Sequence, residues 1–231
     1  MALRGTASTH GLSRSTNLPP ATAFTMMGVF YPLSFTDPLI FLSYGHNAGG
    51  AKRALYTPPT TGVLTLWDGL AGTSGPAMDL GRSVWLALSY DGATARAYLN
   101  GRLVISAASA TPPSATIDVG RDANGGWYNG RWEAIKIWAA VLSEMEIQRE
   151  TRQILPVRTA SLNTFSPCRS LEEAALNYAG AHDFWTLIDS PTVEPGAGFP
   201  WELPRSRRVS VTSAVPVAGD EGFAWYRALA G

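Results

Sequence analysis

The stretch that opens at Val84 constrains the fold more than any other: VWLALSY, Asp91-Gly92, TARAYL, Asn100-Gly101, RLVIS. Asp-Gly and Asn-Gly accept the positive φ of type I′ hairpin turns, whose twist matches that of the flanking strands, so the stretch reads as a three-stranded antiparallel meander. In its middle strand Ala95, Ala97 and Leu99 share one face and Arg96 and Tyr98 the other, the alternation of a sheet with one side on a core. The rest of the composition agrees with a sheet protein. Charged residues make up 16% of the chain against a typical value of about 25%, while 23 Gly and 16 Pro supply turns. With 45% apolar residues in 231, the chain can bury a sizeable core.

Other strand signals surround the meander. Phe24 to Tyr31 and Leu39 to Tyr44 are apolar runs, and Gly62 to Trp67 alternates Val63, Thr65 and Trp67 against Leu64 and Leu66. Pro32, Pro38, Pro58 and Pro59 mark strand ends, because proline donates nothing to a ladder. Thr116 to Gly120 is a further strand, and in RWEAIKIWAA Ile135 and Ile137 alternate with Lys136 and Trp138. Leu142 to Ile154 has helical period and begins with a Ser143/Glu146 capping box. After Pro156 the texture changes: Asn163 to Pro167 reads as a turn, Leu171 to Tyr178 as a short helical turn, and Phe184 to Ile188 and Val209 to Thr212 as strands. The implied organisation is a β-sandwich over 1–155, an irregular segment over 156–204 that packs back on it, and a C-terminal arm over 205–231.

Several function classes are disfavoured at this level. Eighteen basic and eighteen acidic residues balance to zero net charge, so no global field gathers nucleic acid or an anionic membrane. The single Cys168 forms no internal disulfide, and His10, His46 and His182 lack zinc-site spacing. No run approaches the roughly 18 apolar residues of a membrane span, and the first residues lack a secretion signal, so the expected place of synthesis is a reducing cytosol.

YDGATARAYLNGRLV, then IDVGR, then GRWEAIKIWAAVLSEMEI resembles the laminin G-like, concanavalin A-like jelly-roll domains found in many bacterial and phage proteins. The elements sit at Tyr98 to Gly101, Ile117 to Gly120, Gly130 to Trp138 and Leu142 to Ile147, in the family's order. The resemblance implies an all-β antiparallel jelly-roll sandwich with one short helix and an extended C-terminal arm. Trp132 and Glu133 replace the family's Ile-Asp, and Ala134 replaces an acidic residue. The segment from Leu176 to Trp201 is similar to one that often opens such domains, which implies a return to the sandwich edge in a permuted arrangement.

A retaining glycosidase needs two carboxylates roughly 5 Å apart across the sugar bond, and enzymes of this family carry them as Glu-x-Asp-x-Glu on one strand. That triplet is absent, Glu133 is followed by Ile135 and Ile137, and Glu144 and Glu146 suit a helix first turn, so no catalytic residue is assigned. Asp122, Asn124 and Asn129 share one loop, but one carboxylate is too few for a calcium cage, and no metal or cofactor is assigned. A sugar offers an apolar face and a rim of hydroxyls, which selects Trp67, Asp68, Asp122, Asn124, Trp127 and Tyr128 as candidate glycan contacts. Trp85 and Trp138 are assigned to the core. Arg205, Arg207 and Arg208, then Phe223, Trp225 and Tyr226, are candidate contacts to a partner protein, the residue types enriched at interfaces. Arginine outnumbers lysine sixteen to two. The function expected is a non-catalytic phage virion protein, a capsid decoration or fibre subunit that oligomerises with other virion proteins and binds host surface glycan at its loops, with no nucleic-acid or membrane partner. The alternative is a free lectin or a glycan-active enzyme.

Overall fold

A computed structural model describes residues 2–5, 11–45, 51–114, 116–121, 127–168, 170, 177–179, 185–188 and 192–194. Two antiparallel sheets stack face to face. The first contains β3 (Phe24–Pro32), β8 (Val84–Tyr90), β9 (Thr94–Leu99), β10 (Arg102–Ala108) and β12 (Gly130–Trp138). Its order is β10-β9-β8-β3-β12-β1-β15, where β1 is Ala2–Gly5 and β15 is Thr192–Glu194. β13 (Leu162–Ser166) pairs with the last half of β12, over Ile135 to Trp138, while β1 pairs with its first half, over Gly130 to Trp132. The second sheet runs β14-β2-β11-β4-β5-β6-β7. These strands are β14 (Thr186–Ile188), β2 (Gly11–Arg14), β11 (Ile117–Val119), β4 (Leu39–Gly45), β5 (Lys52–Thr57), β6 (Val63–Trp67) and β7 (Gly72–Ala77). β14 and β15 pair with the N-terminal strands β2 and β1, at the ends of the two sheets.

The meander forms as its sequence dictates, with one difference. Asn100 and Gly101 both have positive φ, 51° and 83°, the two-residue turn expected between β9 and β10. A Cβ on Gly101 would stand 3.0 Å from Gln148 Cα, so glycine also serves a close approach there. Asp91-Gly92 instead belongs to a three-residue loop in which, of the pair, only Gly92 has positive φ. Asp91 Oδ1 accepts the Ala93 and Thr94 N–H groups at 3.0 and 2.8 Å, and its Oδ2 meets Arg96 Nη1 at 2.6 Å. Asp91 thus closes the loop through its carboxylate rather than its backbone.

Between the sheets lies one aromatic-rich core. Phe30, Phe41, Tyr128 and Trp132 form a chain of tilted and edge-to-face ring contacts with centroids 5.3 to 5.9 Å apart. A second, smaller core lies on the outer side of the first sheet. There Met27, Val29, Trp85, Ala87, Ala134 and Trp138 pack against Leu142 and Ile147. A bulge at β12 between Trp132 and Ile135 lets that strand serve both cores: Trp132, Ile135 and Ile137 point inward, and Ala134 and Trp138 outward. Gly28 faces the bulge, where a Cβ would come within 2.8 Å of Ile135 Cδ1.

The second core is covered by α1 (Glu144–Glu150), whose N-cap is Ser143 with both halves of the capping box formed. Lys136 is completely buried beneath it, its Nζ 2.8 Å from Glu150 Oε2 and bonded to the carbonyls of Glu150, Gln153 and Leu155. Glu150 in turn accepts the N–H groups of Val157 and Arg158. Burial lowers the Lys136 ammonium from 10.5 to about 8, against the opposing pull of Glu150.

Asn163 to Pro167, a turn by its sequence, falls largely within a strand, Leu162–Ser166. Its free side is occupied by Asn177, whose Oδ1 accepts Phe165 N–H and whose Nδ2 donates to Asn163 O, both at 3.0 Å. A side-chain amide thus stands in for a neighbouring strand. Of the remaining expectations, the helical turn at 171–178 lies mostly outside the described residues and the strand at 209–212 wholly so.

Candidate functional site

On the outward side of the second sheet, strand parity sets out a surface unlike the one that α1 covers. In β5 Lys52, Ala54 and Tyr56 point away from the core that takes Leu55, and in β6 Val63, Thr65 and Trp67 point away from the core that takes Leu64 and Leu66. The register pairs Ala54 with Trp67 and Tyr56 with Thr65. Tyr56 and Trp67 are therefore diagonal neighbours on one face, with backbones about 7–8 Å apart and rings within reach of each other. Both are half-buried. Next to them on β7, Ser74 lies opposite Thr65 and Gly72 opposite Trp67. A Cβ on Gly72 would sit 2.7 Å from the Tyr56 hydroxyl, so the missing side chain leaves the phenol room to lie across the strand. Partial burial raises the Tyr56 phenol above its ordinary range, which keeps the hydroxyl protonated and able both to donate and to accept.

Asp68 follows Trp67 at the strand end. Its Oδ1 accepts the N–H groups of Leu70 and Ala71, both at 2.8 Å, and this fixes the β6–β7 turn. Its Oδ2 takes part in neither bond. The outcome is two half-buried rings and the exposed Ser74 hydroxyl on one side of the sheet, with the Asp68 carboxylate at the strand end beside them; Thr65 between the rings is buried, its hydroxyl bonded to Val63 O. Toward the sheet centre the same cross-strand row continues through Ala54, Ser43 and Asp118, which are buried.

Of the glycan contacts expected from sequence, Trp67 and Asp68 are on this surface. Trp127 is not: it bridges Leu39, four residues along β4 from the Ser43 that shares the Trp67 row, roughly 13 Å away along the strand. Tyr128 is corrected from a loop contact to a core residue. Its ring is 0% exposed, packed against Phe30, Phe41 and Trp132, and burial pushes its phenol well above the ordinary range. Asp122 and Asn124 lie outside the described residues, as do Arg205, Arg207, Arg208, Phe223, Trp225 and Tyr226. Tyr56 is the residue that sequence reasoning missed; the alternation of KRALYT carries its signal, but only the register with β6 puts it beside Trp67.

The acidic residues of α1 have structural tasks. Glu144 Oε1 accepts Leu103 N–H at 3.1 Å, Glu146 closes the capping box and pairs with Arg158, and Glu150 holds Lys136. Trp85 and Trp138 lie in the outer core. Among the described residues no three His, Cys, Asp or Glu side chains are grouped so as to hold a metal ion, and no helix is long and apolar enough to cross a membrane.

The family described as the concanavalin A-like lectin/glucanases superfamily matches residues 5–148. Among solved structures, a candidate carbohydrate-binding protein from Bacteroides ovatus superposes with a TM-score of 0.63 at 14% identity, covering 83% of this chain and 58% of that one. The chain thus spans little more than half the length of that protein. The CBM40 of the Ruminococcus gnavus IT-sialidase, bound to α2,3-sialyllactose, gives a TM-score of 0.50 at 18% identity over 65% of this chain and 96% of that one. A heptameric SAP-like pentraxin from Limulus polyphemus gives 0.51 at 14% identity over 65% and 80%. At these identities the likeness is one of fold. No curated protein sequence matches the chain.

Proposed function

Because the chain belongs to the concanavalin A-like lectin/glucanases superfamily, we propose that it is a non-catalytic carbohydrate-binding sandwich whose contact surface is the Tyr56–Trp67 face of the second sheet. The observation that carries this reading is the diagonal pair of half-buried rings with Asp68 at its edge. A pyranose stacked on such rings buries its apolar face, and its hydroxyls find the Asp68 carboxylate and the Ser74 hydroxyl at the edge. The superposed carbohydrate-binding proteins support the reading at the level of fold. The non-catalytic assignment rests on the neighbours of Asp68: the outward residues beside it on β5, β6 and β7 are Tyr56, Thr65, Trp67 and Ser74, and Asp118 lies three strands away along the row, so among the described residues no second carboxylate adjoins Asp68 for glycosidic chemistry.

The test is a glycan array probed with the wild-type chain and with Trp67→Ala and Tyr56→Ala. Binding that falls about tenfold or more in both variants supports the assignment. Binding that both leave unchanged contradicts it, and release of reducing sugar from a bound polysaccharide replaces it with the glycan-active enzyme.

In the same reading the chain is a bacteriophage virion component, a capsid decoration or fibre subunit made in the host cytoplasm that displays this face toward host glycan. Its support is compositional: arginine replaces lysine almost throughout, and 205–231 combines four arginines, Arg205, Arg207 and Arg208 among them, with Phe223, Trp225 and Tyr226, interface-type residues. Deletion of 205–231 is expected to leave the melting transition of the sandwich in place and to abolish incorporation into particles; normal incorporation contradicts the arm's docking role.

A further inference from the structure

Beside Asp68 the sandwich end holds a cleft of about 360 Å³ with an unusual lining. Its walls come from three separate segments: the β6–β7 turn with Asp68 and Leu70, the β8–β9 loop with Ala93, and the stretch after β10 with Ala108, Ala110 and Thr111. Hydrogen bonds stitch these walls together. Ser109 N–H donates to Ala93 O at 2.7 Å, and the Ser109 hydroxyl donates to Asp68 O at 2.7 Å. The Tyr90 hydroxyl lies 2.9 Å from both Gly92 O and Ser109 O. The cleft is therefore held in shape by the fold, with no ligand needed to form it. At its rim Leu70 is 83% exposed, the most exposed large apolar side chain among the described residues, and it is kept there by the bond from its N–H to Asp68 Oδ1. Nothing in the packing of the sandwich calls for a leucine at that position.

We infer that this cleft is a subsite for the acetamido group of an N-acetylhexosamine whose ring lies on the adjoining Tyr56–Trp67 face. The inference rests on the carbohydrate reading of that face and names the sugar class. An acetamido group presents a methyl, an N–H donor and a carbonyl acceptor. The methyls of Ala93, Ala108 and Ala110 and the Leu70 side chain offer the first an apolar seat. Asp68 Oδ2, outside the turn bonds, takes the N–H, and Thr111, which also lines the cleft, supplies its hydroxyl to the carbonyl. A plain hexose brings a hydroxyl to the same place, against alanine methyls that return no hydrogen bond for the water it loses. Asp68 joins the two parts, since it ends the strand that carries Trp67 and also lines the cleft.

The experiment is calorimetry on the full chain with chitotriose and cellotriose, trisaccharides that differ by acetamido groups in place of hydroxyls. Wild type is compared with Ala108→Leu, which fills the cleft from an exposed strand end, and with Trp67→Ala. Chitotriose is expected to bind about tenfold more tightly than cellotriose, the gain of a seated methyl and one hydrogen bond. Ala108→Leu is expected to erase that preference, lowering chitotriose affinity about tenfold and cellotriose affinity by less, and Trp67→Ala to weaken both sugars. Equal affinities in wild type, unaltered by Ala108→Leu, overturn the acetamido subsite while the aromatic face stands. Chitotriose binding that Trp67→Ala leaves intact overturns the aromatic-face reading itself, and failure of both sugars to bind overturns the subsite and leaves the face to the array.

Discussion

The two sheets treat their outward sides in opposite ways. On the first sheet the outward residues are apolar, among them Met27, Val29, Trp85 and Trp138, and the chain covers them with α1 and the loop after it. The cost of that cover is visible in Lys136, which cannot reach water and must be satisfied by Glu150 and three carbonyls. On the second sheet the outward residues of β5, β6 and β7 include the half-buried Tyr56 and Trp67 and the exposed Ser74, with Lys52, Ala54 and Thr65 buried among them, and among the described residues no helix lies over them. One fold thus separates the fully covered Trp85 and Trp138 from the half-buried Trp67 of the proposed contact face. The lesson is that residue type does not assign the role: Trp67 and Trp138 both sit in alternating strands, and what distinguishes them is the layer above.

Substitutions sharpen that contrast. Trp138→Ala empties a fully buried site and removes the indole N–H bond to Arg158 O, so a loss of about 3–5 kcal/mol is expected in urea unfolding. Lys136→Met leaves Glu150 buried without its cation and is expected to cost about 3 kcal/mol or more. The same lysine gives a pH signature. Its folded value of about 8 lies below the unfolded 10.5, so between these pH values the unfolded chain binds more protons and stability rises with pH. The destabilising contribution is complete below pH 8 and gone above 10.5. The expected rise attributable to this group is about 3 kcal/mol and is absent from Lys136→Met; equal slopes in both proteins contradict a buried charged lysine. Ser143→Ala removes the cap of α1 and is expected to cost about 1 kcal/mol. Trp67→Ala is expected to cost least in stability, below about 1 kcal/mol, while it removes saccharide binding. Were it to destabilise as strongly as Trp138→Ala, the distinction between the two faces would be lost.

How much of this was legible in the sequence follows from the range of the interactions. The meander, its Asn100-Gly101 turn and the Ser143/Glu146 cap are decided by neighbours in the chain, and all form. β1, β2, β13, β14 and β15 are three to five residues long and owe their conformation to remote partners, so local pattern did not reveal most of them. β13 is further disguised by Asn163 and Thr164, which serve the buried Arg14. Asp91-Gly92 carries the same turn signal as Asn100-Gly101, yet the aspartate carboxylate captures two backbone N–H groups and selects a longer loop. At the site, Trp67 and Asp68 were legible as residue types. Tyr56 was not, because its place beside Trp67 is a matter of register across strands, and Tyr128 misled because a loop tyrosine next to Trp127 turns inward to complete the ring cluster.

The claim that one face is open to sugar and the other closed is tested most directly by following the tryptophan indole N–H resonances as chitotriose is titrated in. The account expects the Trp67 signal to shift in a saturable manner while those of Trp85 and Trp138 stay in place. A titration that moves Trp85 or Trp138 and leaves Trp67 unchanged would contradict it.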